Sequence, residues 1–162
     1  MGITIATHEE MYEVADLIIE AFGTETLTKI PELGDPEKGS KMMFLRRYIG
    51  TVENKEPYIC YIARNKEGEL IGATAGYTFP YHWMPQMWGQ EDFWYVKEEY
   101  RKGTVGVKLF KKLMKWFEKQ ECDKVGMMHY SWNPRVGKFY EKQGFVPYEV
   151  SYVKDMYNGG ME

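Results

Sequence analysis

Cysteine and histidine are scarce in this 162-residue chain, which contains two cysteines and three histidines. Two cysteines cannot form the multi-bridge framework of a small secreted domain. The histidines, at positions 8, 82 and 129, are too far apart to match the ligand spacing of a zinc site. The sequence therefore predicts no metal site, and the low cysteine count favours a reducing, cytoplasmic compartment.

A large excess of charge and a long apolar run are also missing. Lys and Arg total 21 against 24 for Asp and Glu, so the net charge is −3. This balance argues against nucleic acid as a partner, because non-specific duplex binding needs a broad basic face. No run of about 18 apolar residues occurs, and the first residues lack the basic and apolar regions of a secretory signal. We therefore expect no membrane partner.

The remaining composition, 44% hydrophobic and 16% aromatic, is that of one globular domain, which we expect to cover residues 1–162. Apolar residues recur with the strand period in some segments and the helix period in others, which predicts a mixed α/β fold. Thr7 and Glu10 have the spacing of a capping box, and Gly72 and Gly76 indicate that another element approaches their strand closely. Strands are predicted at 2–6, 58–64, 69–78, 91–97, 125–132 and 145–154, helices at 8–22, 42–49, 105–119 and 134–142, and long loops at 24–40 and 79–90.

The turn between the strand at 91–97 and the next helix is the most informative segment. Its sequence, Arg101–Gly106, is RKGTVG. A helix start offers unpaired amides and the positive end of the macrodipole, which suit a phosphate group, and glycines let backbone approach a ligand. An ordinary glycine-containing helix start is the alternative. No Gly-Lys-Ser/Thr follows, so this is not a Walker loop, and the third glycine of a dinucleotide fingerprint is missing.

Two motifs together resemble the GNAT N-acetyltransferase superfamily. Arg101 and Gly106 fit its Arg/Gln-x-x-Gly-x-Gly/Ala signature, with Thr104 in place of the middle glycine. The segment Asn133–Phe145, NPRVGKFYEKQGF, is similar to the second family motif, Asn-x-x-x-x-x-Phe-Tyr-x-Lys-x-Gly-Phe. The order of predicted elements also matches the family over nearly the whole chain.

The resemblance implies a single GNAT-like domain in which helices flank a central, mixed, splayed sheet. It also implies that acetyl-CoA lies between the strands at 91–97 and 125–132, with its pantetheine arm along the first strand and its pyrophosphate on the amides of 101–107. Lys102 or Lys108 could help hold the phosphates. The cofactor-binding residues implied in this way are Tyr95, Val96, Arg101, Lys102, Gly103, Thr104, Val105, Gly106, Val107 and Asn133.

The second motif contributes a candidate catalytic acid. By the resemblance, the Tyr140 phenol donates a proton or hydrogen bond to the departing CoA thiolate. The alternative is a core tyrosine on an amphipathic helix. Asn133 is expected to cap the helix that Pro134 begins and to make a secondary contact with the pantetheine.

Amine acylation requires a neutral acceptor nitrogen, so a base or a water chain is needed. Glu91 and Asp92 stand at the start of the strand at 91–97, where many relatives keep a carboxylate. Strand alternation puts them on opposite faces, so only one can face the acceptor, and a bulge would change which one. Glu91 is the favoured base, and plain surface charge is the alternative.

These observations favour an acetyl-CoA-dependent N-acetyltransferase that acts on a primary amine by direct attack, because no cysteine or serine stands in a nucleophile constellation. A non-catalytic acyl-CoA-binding or interaction module on the same fold is the alternative. The acceptor is a small-molecule amine or a protein amine. A run of aromatic residues between 77 and 95 forms either a wall of the acceptor pocket, where it would favour a cationic amine, or core or a homodimer interface.

Overall fold

The computed structural model describes residues 2–35 and 41–156, so residues 36–40 of the predicted loop at 24–40 lie outside the described part of the chain. The described residues group into two compact units. The first unit lies within residues 1–18 and 41–127, and the second within residues 19–40 and 128–162.

The first unit contains a five-stranded mixed sheet with the strands in chain order. Neighbours among β1 to β4 are antiparallel, whereas β4 and β5 are parallel. The ladder between β4 and β5 joins only residues 88–90 to residues 124–126, and β4 continues to Val96 beyond it. The strands are β1 (Gly2–Ile5), β2 (Tyr58–Arg64), β3 (Leu70–Pro80), β4 (Met87–Val96) and β5 (Lys124–Gly126).

The described residues contain four α-helices, and together with the mixed sheet they confirm the predicted fold class. The capping box at the first helix is present, because the Thr7 amide donates to Glu10 at 2.8 Å and the Glu10 amide donates to the Thr7 hydroxyl at 3.2 Å. The first helix continues into one wide π-helical turn at Phe22–Thr26. The helices are α1 (Glu10–Ala21), α2 (Lys41–Glu53), α3 (Val105–Lys119) and α4 (Pro134–Lys142).

The sheet carries an apolar cluster on each face. On one face α1 packs against the sheet through Met11, Val14 and Leu17, and on the other α3 packs through Val105 and Leu109. Close packing on the α3 face explains a glycine in β3. A Cβ added at Gly76 would lie 2.6 Å from the Phe117 ring. The approaching element that the glycines of β3 predicted is therefore α3.

Two predicted strand boundaries are wrong by more than two residues, and one predicted strand does not form. Strand β4 begins at Met87, inside the predicted loop at 79–90, because Met87 and Trp88 pair with Pro80 and Phe79 across a hairpin. Strand β5 ends at Gly126 instead of residue 132, since its ladder with β4 ends there. The described residues from 145 to 154 form no strand. Alternating apolar residues make a strand only where a partner strand supplies hydrogen bonds.

Candidate active site

The turn that enters α3 is tied to the end of β4 by two side chains. Arg101 Nε donates a 2.7 Å hydrogen bond to the Val96 carbonyl, and its guanidinium lies 5.2 Å from the centre of the Tyr95 ring. Trp94 Nε1 donates to the Gly106 carbonyl at 3.1 Å. The predicted cofactor residues of the first unit, Tyr95, Val96 and 101–107, therefore form one connected structure.

The start of α3 can accept an anion. The hydrogen bond from the Lys108 amide to the Thr104 carbonyl, 3.0 Å long, is the first of the helix. The amides of Val105, Gly106 and Val107 precede it and have no intrahelical acceptor. Thr104 occupies the N-cap position without a capping side-chain bond. Since the macrodipole adds positive potential here, the residues present fit a phosphate group.

Packing within the protein gives no reason for glycine at position 106. A Cβ added there would meet Trp94 Cζ2 at 3.6 Å, an ordinary van der Waals contact. Position 103 is similar, with the Tyr100 carbonyl 3.5 Å away. Neither glycine has a positive φ. Both residues therefore differ from Gly76, whose place beneath α3 requires the absence of a side chain.

A β-bulge separates the two candidate base residues. Gly76 pairs with Glu91 and Ala75 pairs with Phe93, so Asp92 is the extra residue of β4. Glu91, 5% exposed, shares a face with its partner Gly76, which faces α3. Asp92 instead contacts α2, where Arg47 Nη2 lies 2.6 Å from its Oδ2. The expected placement on opposite faces is thus observed.

Asp92 lies in a cavity of about 200 Å³ within the first unit. Its side chain is only 4% exposed, and the Tyr58 hydroxyl also donates to Oδ2 at 3.1 Å. Burial, with the nearby Asp92 carboxylate, raises the pKa of Tyr58 above its usual range, so this hydroxyl stays a donor. We call this the Arg47–Asp92 cavity; its lining residues are Phe44, Arg47, Tyr48, Thr51, Glu56, Tyr58, Tyr77 and Asp92.

Sequence reasoning missed Arg47 and Tyr58. They lie 45 and 34 residues from Asp92 along the chain. Neither residue stands in a local motif that would indicate so distant a partner.

The aromatic residues predicted to act together between 77 and 95 do not form one wall in the structure. Tyr77 lines the cavity, whereas Tyr81 and Trp88 stack on each other in the β3–β4 hairpin at 4.3 Å.

Tyr140 and Asn133 belong to the second unit. Tyr140 is 5% exposed, and its hydroxyl donates to the Met128 carbonyl at 2.9 Å. Asn133 stands at the N-cap of α4, but its side chain makes no capping hydrogen bond, so the expected side-chain cap is wrong. The helix start depends instead on Pro134 at its first position.

Residues 2–35 and 41–156 lack two further features. No group of three or more His, Cys, Asp or Glu side chains there could hold a metal ion. No helix in the same ranges is both long and apolar enough to cross a bilayer.

Comparison with solved structures shows the fold. The chain is similar to a mutant protein from Bacillus halodurans, with a TM-score of 0.76, 15% identity, and coverage of 94% of this chain and 97% of that one. It is also similar to glucosamine-6-phosphate N-acetyltransferase from Arabidopsis thaliana (TM-score 0.66, 18% identity, coverage 96% and 99%). A third is ribosomal-protein-alanine N-acetyltransferase from Brucella melitensis (TM-score 0.65, 18% identity, coverage 95% and 99%).

Comparison with the curated proteins gave no match. The family model described as the acetyltransferase (GNAT) family matches residues 16–145. That range is well over half of the chain and includes the turn before α3, the β4 bulge and the motif around α4. The protein therefore belongs to the GNAT acetyltransferase family.

Proposed function

We propose that the protein is an acetyl-CoA-dependent N-acetyltransferase that acts on a primary amine by direct attack, without an acyl-enzyme. The observation that carries the proposal is the start of α3, where amides without intrahelical acceptors follow, across the turn at 97–104, the part of β4 that extends beyond its ladder with β5. Family membership supplies the co-substrate, because GNAT enzymes use acetyl-CoA.

The proposed cofactor residues have two tasks. The amides of 105–107, with the exposed Lys102 and Thr104, hold the pyrophosphate. Tyr95 and Val96 hold the pantetheine arm, and Arg101 fixes the turn through its bond to the Val96 carbonyl. The set also includes Asn133 and two glycines, Gly103 and Gly106. The glycines allow the backbone to approach the cofactor closely. Acetyl-CoA supplies the activated acetyl thioester.

Direct transfer is supported by the state of the cysteines. Cys60 is buried, and burial, with the nearby carboxylates of Asp92 and Glu10, raises the pKa of its thiol. Burial also raises the pKa of the half-buried Cys122. Because the thiolate is the nucleophilic form, neither residue is prepared to carry an acetyl group.

The chain must remove one proton from the amine and give one to the CoA thiolate. Of the two carboxylates, Asp92 lines a cavity and Glu91 lies on the α3 face. We therefore assign the acceptor side to Asp92, which takes the amine proton directly or through one water. Tyr140 is the proposed donor to the thiolate. For this role its hydroxyl must release its hydrogen bond to the Met128 carbonyl and donate to the CoA sulfur instead.

Release of free thiol from acetyl-CoA, measured with a panel of primary amines, tests this function. We expect amine-dependent thiol release and a matching N-acetylated product by mass spectrometry. Calorimetry with CoA alone, combined with the thiol assay, separates the enzyme from a non-catalytic module. Binding of CoA without thiol release for any amine would favour a non-catalytic acyl-CoA-binding module, and absence of binding would reject the cofactor assignment.

A further inference from the structure

The buried carboxylate of the Arg47–Asp92 cavity has one oxygen left for a ligand. Both protein donors, Arg47 Nη2 and the Tyr58 hydroxyl, reach Oδ2. Within residues 2–35 and 41–156 no donor reaches Oδ1. Oδ1 is not one of the fully buried side-chain atoms that lack a partner in those residues, so it reaches the open space of the cavity. Oδ1 is therefore suited to accept one from an N–H group that enters the cavity.

Arg47 offers the complementary charge beside it. Its guanidinium uses Nη2 for Asp92, and in the described part of the chain Nη1 and Nε have no acceptor. The side chain is 59% exposed, so it lies where a ligand from solvent can meet it. A guanidinium matches the planar geometry of a carboxylate. Asp92 thus offers an acceptor oxygen and Arg47 offers unused N–H donors. The two side chains are held together by the 2.6 Å contact between Arg47 Nη2 and Asp92 Oδ2.

The rest of the cavity limits the ligand's size and character. Its volume of about 200 Å³ is below the ~300–1,000 Å³ of pockets for drug-sized ligands, so it suits a small molecule. Four aromatic rings line it and offer apolar contact to a side chain, while the exposed Glu56 adds negative charge that favours an amine. The aromatic lining consists of Phe44, Tyr48, Tyr58 and Tyr77.

We propose that this cavity binds the acceptor, and that the acceptor is a small molecule with a primary amine and a carboxylate on the same carbon, as in a free α-amino acid. The inference rests on the proposed acetyltransferase function. Asp92 Oδ1 accepts from the amine, and Arg47 holds the carboxylate. The nitrogen forms a bond to the acetyl carbon as the C–S bond breaks, the amine proton passes to Asp92, and the thiolate is protonated by Tyr140. The products are an N-acetyl amino acid and CoA.

Matched acceptors test the inference. For the best substrate in a panel of free amino acids, the same compound without its carboxylate isolates the contribution of Arg47. We expect Arg47→Gln to raise the KM for the amino acid at least about tenfold, because a charge-assisted contact is lost. The KM of the decarboxylated amine should rise by a clearly smaller factor, because that compound loses only the support that the ion pair gives to Asp92. Arg46→Gln is the control, since Arg46 is the exposed neighbour on α2 and does not line the cavity.

Binding without acetyl-CoA separates failure of this inference from failure of the proposed function. Titration of the amino acid into the free protein should give heat with the wild type and with Arg46→Gln, and at least about tenfold weaker binding with Arg47→Gln and Asp92→Asn. Turnover of simple amines but not amino acids would overturn the inference and leave the acetyltransferase standing. Equal KM values in the two arginine variants, with a lower melting temperature for Arg47→Gln alone, would overturn it too and assign the ion pair a structural role.

Discussion

The start of α3 and the Arg47–Asp92 cavity differ in how the chain builds them. The first lies within about a dozen consecutive residues, from Tyr95 to Val107, and its bonds join near neighbours such as Arg101 and Val96. The second combines α2, β2 and β4, with Arg47 and Tyr58 converging on Asp92 from 45 and 34 residues away. A local structure leaves a motif in the sequence, whereas a structure assembled from distant segments does not.

The two sites are also expected to respond differently to substitution. At the start of α3 the ligand would contact backbone amides, so only added bulk or a changed turn can disturb binding. In the cavity the ligand would contact side chains, so an isosteric change of one side-chain atom is enough to disturb binding. Substitutions at the two sites test this contrast.

The largest effect is expected for Asp92→Asn, which keeps the shape of the side chain and removes the charge. Loss of a positioned base should lower kcat/KM by about 100-fold or more. Glu91→Gln is the matched comparison on the other face of β4, and its effect on turnover should be much smaller. Initial rates over a range of pH, with melting temperatures, provide the measurement. Full turnover in Asp92→Asn, with a strong loss in Glu91→Gln, would place the base on the α3 face.

Tyr140→Phe is expected to have the next largest effect. The variant keeps the ring and deletes the hydroxyl that donates to Met128. If the hydroxyl protonates the thiolate, kcat should fall at least about tenfold while CoA affinity is little changed. If Tyr140 is only a core residue, the free energy of unfolding should fall by about 1 kcal/mol and kcat should not. Steady-state kinetics and denaturant titration on the same samples distinguish the two outcomes.

Gly106→Val tests the local site with added bulk. The first atom of the new side chain fits, since a Cβ at this position lies 3.6 Å from Trp94, so the variant should fold. We expect its CoA dissociation constant to rise about tenfold by calorimetry, because the side chain hinders approach to the amides. Gly106→Ala should show a smaller rise.

Gly50→Val is the control for this series, because the space at Gly50 is open. An unchanged CoA affinity in a folded Gly106→Val protein would remove the start of α3 from the cofactor site.

The smallest effect is expected at the capping box of α1, a local structure with no proposed ligand. Thr7→Ala should lower the free energy of unfolding by about 1 kcal/mol near neutral pH.

The capping box also predicts a pH dependence of stability. The hydrogen bond from the Thr7 amide lowers the pKa of Glu10 in the folded protein. Glu10 therefore adds stability above its unfolded pKa of about 4.5, and this stability is lost as pH falls through the lower folded value. Catalytic rates should not change.

Local chemistry explains which elements could be predicted from sequence. Helices α1, α3 and α4 begin and end within two residues of their predicted bounds, because caps, prolines and the helix period are encoded within a few positions, as at Thr7 and Pro134. Helix α2 was predicted at 42–49 and ends at Glu53, four residues later. Strand ends were predicted less well, because β4 and β5 depend on ladder partners elsewhere in the chain. The segment at 145–154 has the alternation of a strand but forms none in the described structure.

The sequence by itself determined the family, the mixed sheet with its helices, and the residues of the turn before α3. These follow from short-range motifs whose chemistry needs no distant partner. Only the tertiary structure decided which carboxylate lines a cavity, since a single extra residue in β4 places Asp92 beside Arg47 and Tyr58 and leaves Glu91 beneath α3. The register of β3 against β4 fixes that bulge, and register depends on packing across the whole sheet.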